Sequence, residues 1–170
     1  MTAHDLEVLF DYSYWANHRL FRVIATLTPE EFTRHVAGSY GSIRNTLAHA
    51  LSTEWGWLER CGGGPERGGR LDPARYPAAE ALMDDWSRVE AGMRRFLSGL
   101  KDEDVARPIE YPGSGGATRS MPLGELMHHA ANHAVHYRGQ TAILLRELGH
   151  APGDFDLLFY YSERRGVPAW

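Results

Sequence analysis

At 170 residues, 43% hydrophobic and 24% charged, the chain can fill one core and is short for two, so a single domain over 1–170 is expected. Lys and Arg number 18 against 22 Asp and Glu, a formal charge of -4, and no dense basic run is present to neutralise phosphates, which argues against a nucleic-acid partner. The N-terminus, MTAHDLEVLF, carries acids where a secretory leader needs a basic region, and no stretch approaches the roughly 18 apolar residues of a membrane span, so a cytoplasmic protein with no membrane partner is expected.

Residues 5–26 place Leu6, Leu9, Phe10, Leu20, Phe21 and Ile24 at helical spacing. Thr28-Pro29-Glu30-Glu31 reads as the start of a short new turn, with Thr28 as cap, Pro29 in the first position and Glu31 completing a capping box. Gly38 to Gly41 is a break. A second helix over 42–60 follows, with Ile43, Leu47, Ala50, Leu51 and Leu58 on one side. Cys61 is the lone cysteine, so no intrachain disulfide can form. Gly62 to Pro77 holds five glycines and three prolines, the composition of a long loop. A third helix over 78–98 carries Leu82, Trp86, Val89, Met93, Phe96 and Leu97. Arg107 to Ser120 is a second break, either a short hairpin or an ordered loop. The last long helix is expected over 121–148, capped by Ser120, with Pro122 in its first turn and Gly149 to stop it. The apolar tail from Asp154 to Tyr161 should pack against the helices or a partner subunit. Together these predict an all-α, four-helix bundle with long connecting loops.

The chemistry concentrates in the last helix, where His128, His129, His133 and His136 fall within nine residues. At about 100° per residue, and with His129 at zero, His133 lies near 40°, His136 near -20° and Gln140 near 20°. This stripe borders the apolar face, as a ligand site at a core margin requires, because imidazoles one turn apart can converge on one ion while packing excludes water. His128 points off the stripe, and His4, His18, His35 and His150 read as ordinary surface or packed side chains. His49 is the fifth candidate. It faces away from the leucines of its helix, among Ser42, Thr46, Thr53 and Gly56, a small-residue face that allows another helix to approach closely. Glu54 falls among the leucines, where it could accept from an imidazole N–H or from Arg138. Arg138 could instead hold a substrate carboxylate. Tyr12, Tyr14, Trp15 and Asn17 form a polar-aromatic patch on the first helix, for packing or for a pocket wall. The glycine-rich loops lack the spacing and setting of a phosphate loop.

The segments Trp15-Ala16-Asn17, Ser42-Ile43-Arg44-Asn45-Thr46-Leu47-Ala48-His49-Ala50, Asn132-His133 through Arg138-Gly139-Gln140, Leu144 to Gly149 and Pro152-Gly153-Asp154 resemble the DinB/YfiT-like family over nearly the whole chain. The resemblance implies a four-helix bundle, usually dimeric, with a nickel or zinc ion held by one histidine of the second helix and a pair four apart in the last. His49 and His133 match two of these positions. The third falls on Tyr137, with a histidine one residue earlier at His136. Three repairs follow: His136 at a spacing of three, His129 from the preceding turn, or Tyr137 as a phenolate whose pKa the ion would depress. Loss of the ion is the remaining outcome. Relatives of this kind include thiol-dependent transferases and isomerases, so the resemblance implies a metal-dependent S-transferase or hydrolase acting on a small molecule with a low-molecular-weight thiol. Glu54 and Arg138 would then be catalytic, and His49, His133, His136 and His129 the metal-ligand candidates. Two rival classes are a non-catalytic metal- or small-molecule-binding stress-response protein and a purely structural homodimer.

Overall fold

The computed structural model describes residues 1–62 and 70–169. Residues 63–69 of the Gly62–Pro77 loop therefore lie outside the described residues. Helix α1, Ala3–Ile24, opens with a capping box between Thr2 and Asp5, and its buried stripe runs through Leu6, Phe10, Leu20 and Ile24. The Thr28–Glu31 capping box forms as expected and starts the five-residue α2, Pro29–Thr33. Ser42 caps α3, Ile43–Arg60, by accepting from the Asn45 N–H. Helix α4 spans Ala79–Ser98 and stops at Gly99.

The second break is a hairpin. Strands β1, Pro108–Pro112, and β2, Thr118–Pro122, pair antiparallel with Glu110 opposite Ser120. This corrects the expected start of the last helix. Ser120 is committed to the strand, and α5 runs Leu123–Glu147 with Pro122 at its cap position and no side-chain cap. The Leu123 N–H, left free by the missing cap, donates to the Arg107 carbonyl at 2.9 Å. At its other end Gly149 adopts φ +87°, and the N–H groups of Gly149 and His150 donate to the carbonyls of Arg146 and Leu145, a glycine-terminated helix end.

Helices α1, α4, α3 and α5 pack in a closed ring in that order, a four-helix bundle with α1 and α3 on one diagonal. Leu6, Leu20, Leu51, Leu58, Leu82, Met93, Leu123 and Met127 are fully buried in its core. Each such side chain contributes roughly 1.5–3 kcal/mol relative to exposure. A final helix α6, Leu157–Arg165, lays Tyr160 against Tyr12 and Trp15 of α1, both at 5.7 Å between ring centroids. The tail thus packs on the bundle through Tyr160, while Leu157, Leu158 and Tyr161 remain exposed. Among the described residues, no helix is long and apolar enough to cross a membrane.

The bundle centre is not wholly apolar. The Tyr14 O–H donates to Glu54 Oε1 at 2.7 Å, joining α1 to α3 across the diagonal. Arg138, only 3% exposed, donates from Nη1 to Ser13 Oγ at 3.0 Å and to Asn17 Oδ1 at 2.9 Å. The Trp86 indole of α4 lies near enough to favour the charged form of Glu54, yet makes no hydrogen bond of normal geometry. Burial pushes the Glu54 carboxyl up from 4.5 to about 7, against the Tyr14 hydrogen bond and the Arg138 charge, which favour ionisation.

Two stability predictions follow from this packing. A Cβ on Gly124 would stand 2.5 Å from Val105 Cγ1 and 3.2 Å from the Val105 carbonyl oxygen. Gly124→Ala should therefore destabilise the fold by about 1–3 kcal/mol in urea denaturation despite its better helix propensity, and Val105→Ala in the same chain should recover part of the loss. For Glu54, the folded chain holds more proton than the unfolded chain between 4.5 and about 7, so its contribution to stability falls as pH rises through that window. The shift corresponds to about 3 kcal/mol. Glu54→Gln, whose amide oxygen can still accept from Tyr14, should remove this fall. Urea midpoints of metal-free native and variant proteins should then diverge in favour of the variant between pH 5 and pH 8.

Candidate metal centre

The site forms where α3 meets α5. Thr46, Ala50 and Gly56 of α3 and Ala130, Ala131 and Ala134 of α5 are buried, and such small side chains permit a close approach of the two helices. His49 therefore faces α5 despite standing off the leucine stripe of its own helix. Its ring meets that of His133 at 5.1 Å between centroids. Tyr137, one turn further along α5, completes a triangle at 4.7 Å from His49 and 4.5 Å from His133. His129 extends the row, 5.7 Å from His133 and 5.9 Å from Trp57, and Tyr111 of β1 closes that end edge-on against Trp57.

Two residues outside the helices hold the other side of His49. The turn between α2 and α3 has positive φ at Gly38, Ser39 and Gly41, which brings Tyr40 onto His49 at 4.3 Å, stacked. The turn is fastened by the Asn45 amide donating to the Tyr40 carbonyl and by the Ser39 hydroxyl bonding Gln140 of α5. Tyr40 Oη stands 3.2 Å from His49 Nε2, and Arg70 Nη2 stands 3.3 Å from His49 Nδ1. A guanidinium can only donate, so Nδ1 must accept, which places the imidazole proton on Nε2 with Tyr40 Oη as its acceptor. Both nitrogens of His49 are thus engaged.

Burial lowers the pKa of both paired imidazoles. For His133 the value falls to about 4, with the charges of His49, His129 and His136 acting in the same direction. For His49, burial is followed by the charge of Arg70. Each ring is therefore neutral at physiological pH, and a neutral imidazole is the form that binds a metal. Tyr137 is held above the usual phenol range by its hydrogen-bonding contact with Tyr40 and by desolvation.

The other stripe residues are placed differently. His136 Nε2 accepts from the Gln140 amide at 2.6 Å, and the ring meets Tyr137 edge-on at 4.9 Å. A spacing of three carries a side chain back around the helix by about 60°, whereas a spacing of four advances it by about 40°. His136 is consequently turned away from His49 and Tyr137 toward it. Among the described residues, no group of three or more His, Cys, Asp or Glu side chains is gathered to hold one ion. The structure thus assembles an imidazole pair with a phenol beside it, not three imidazoles. Glu54 and Arg138 are brought together with α1 in the bundle centre, where their hydrogen bonds run to Tyr14, Ser13 and Asn17. His128 is exposed, while His18 pairs with Glu90 and His150 with Glu31. Tyr40 and Arg70 escaped the sequence reading because they sit in breaks without periodicity.

Residues 1–166 match the DinB family. The protein DinB of Bacillus subtilis (strain 168) is 23% identical over 163 residues, covering 91% of this chain and 94% of its own length. A solved DinB-like protein from Bacillus cereus ATCC 10987 superposes with a TM-score of 0.70 at 20% identity, over 90% of this chain and 97% of that one, a likeness of fold. With a family match that runs from the first residue into α6, over the bundle and the histidine site alike, the chain belongs to the DinB family.

Proposed function

We propose that this chain is a divalent-metal-dependent enzyme of the transferase or hydrolase kind, with His49 and His133 as its imidazole ligands. The observation that carries the reading is the meeting of these two neutral imidazoles from separate helices, with ring centroids 5.1 Å apart and the Tyr137 phenol beside both. The pair fits a nickel or zinc ion, and the third donor comes from Tyr137, His129 or His136. Tyr137 is the nearest of the three to both imidazoles. A bound ion would supply Lewis acidity, making a small thiol or a water nucleophilic near neutral pH. The chain's own residues exclude water on the Trp57 and Tyr111 side and orient His49 through Tyr40. Glu54 and Arg138, held in the bundle centre, act by fixing α1 against α3 and α5, and so position the imidazole pair. Exposed Val135 and Ile143 of α5, with Leu157, Leu158 and Tyr161 of α6, supply an apolar surface for a homodimer.

A second reading, a non-catalytic binding protein, is favoured by the occupied nitrogens of His49 and by the phenol at the third position. Metal content decides between them. Untagged protein purified without chelator should carry about one equivalent of ion by mass spectrometry, and His133→Gln should lose it. Tyr137→His restores an imidazole at a spacing of four and should tighten zinc binding by at least about tenfold in competition with a chelator. Native protein that stays metal-free after incubation with zinc and nickel, and becomes a metal binder only with Tyr137→His, would establish the binding reading instead.

A further inference from the structure

On the far side of α5 from the histidines, a cleft of about 370 Å³ opens between that helix, residues 153–156 and the first turn of α6. At about 100° per residue, its α5 wall of Val135, Arg138, Gly139, Ala142 and Arg146 lies roughly 180° around the helix from His133 and Tyr137. The cleft therefore shares no wall with the imidazole pair. Phe155 and Phe159 supply its aromatic lining, and Tyr12 joins it to α1 through a hydroxyl that donates to the Phe155 carbonyl at 3.1 Å. Its volume is that of a small-molecule site.

Two features of the lining point to a ligand. Arg138 is almost fully buried, yet its Nη1 donates only to neutral acceptors on Ser13 and Asn17, and its Nη2 has no acceptor. Among the described residues no carboxylate forms an ion pair with it. Burial disfavours its charge, and the nearby Tyr12 phenol and Glu54 offset this only in part. A buried guanidinium without a paired anion is costly, and a carboxylate is the group its planar fork matches. The second feature is Gly139, an exposed glycine in the interior of α5, where helix propensity disfavours it. A Cβ there would meet nothing within 4 Å, so packing does not demand glycine. Its missing side chain keeps the cleft open beside Arg138.

We propose that this cleft is a second ligand site, independent of any ion, for a small carboxylate with an apolar body. The carboxylate accepts from the Arg138 guanidinium, Arg146 supplies a second cation two turns along the same wall, and the apolar body lies against Phe155 and Phe159. Asp154 and Asp156 of the facing wall bring carboxylates of their own, which suit an ammonium and so admit an amino acid within that class.

The test uses the full-length protein with its Gly139→Leu and Arg146→Gln variants, because Arg138 itself holds α1 in register and its loss would disturb the fold. Phenylacetate and the neutral phenylacetamide are titrated calorimetrically. Nitrogen NMR of arginine-labelled protein follows the Arg138 Nε–H, which burial shields from exchange with water. Phenylacetate should bind at least about tenfold tighter than phenylacetamide, move the Arg138 resonance and lose only a few-fold in affinity with Arg146→Gln. Gly139→Leu, its folding checked by melting temperature, should abolish binding, whereas Arg70→Gln at the histidine site should leave it unchanged. L-Phenylalanine binding tighter than phenylacetate would support the site and assign the ammonium to the two aspartates; weaker binding would support it as a site for simple carboxylates. Equal affinity for acid and amide, binding that survives Gly139→Leu, loss of binding in Arg70→Gln, or an Arg138 resonance that phenylacetate does not move would each overturn the proposal, whatever the metal content of the protein.

Discussion

The close contact of α3 with α5 is the constraint on which the site depends. Buried Thr46, Ala50 and Gly56 of α3 and Ala130 and Ala134 of α5 are small enough to permit it. Leucine in those places would hold the helices apart, and His49 and His133 would no longer meet. The same approach lets the α2–α3 turn reach across to α5 through Ser39 and Gln140, so Tyr40 is carried onto His49 by a contact made elsewhere. The geometry of the imidazole pair is thus set by helix packing and a glycine turn, before any ion is considered.

A second constraint lies at the bundle centre. A buried carboxyl, an arginine and a tyrosine in a small core carry a desolvation cost that leucine would not, and Arg138 Nη2 is left without a protein acceptor. What they provide is register. Tyr14, Glu54 and Arg138 fix α1 relative to both α3 and α5, and a slip of one turn in any of these helices would break bonds that the apolar packing alone would not notice. Since His49 lies on α3 and His133 on α5, this register is passed directly to the site.

Most of the fold was legible because its signals are local and redundant. The cap at Thr28 and the stop at Gly149 were visible as residue types next to periodic stretches, and each performs that role. Ser120 misled for the same reason: a good capping residue beside a helix is indistinguishable, in sequence, from one spent in a strand and paired with Glu110 across a glycine-rich turn. In the site, periodicity set His49 off the leucine stripe of its own helix, and only the small residues around it left an inward face open; ring contact with His133 of α5 is what the packing adds. Tyr40 and Arg70 could not be found, because their positions come from positive-φ turns and a long loop, whose paths no periodicity encodes.

The one-residue displacement from position 137 to 136 shows how little of a site's chemistry composition records. The stripe has ample imidazoles, but a helix sorts neighbours by angle, and moving the last histidine back by one turns it about 100° away from the phenol that replaces it. At 136 the ring finds Gln140, which occupies its Nε2 and ties it into the chain that holds the Tyr40 turn. At 137 the phenol faces both imidazoles but is held protonated by Tyr40. The result is a site in which two of the candidate ligands are already hydrogen-bonded to the protein, His49 to Arg70 and Tyr40 and His136 to Gln140, while the Tyr137 ring lies against Tyr40. Any ion that enters must displace these partners, so its affinity is set by the hydrogen bonds it breaks as much as by the donors it gains.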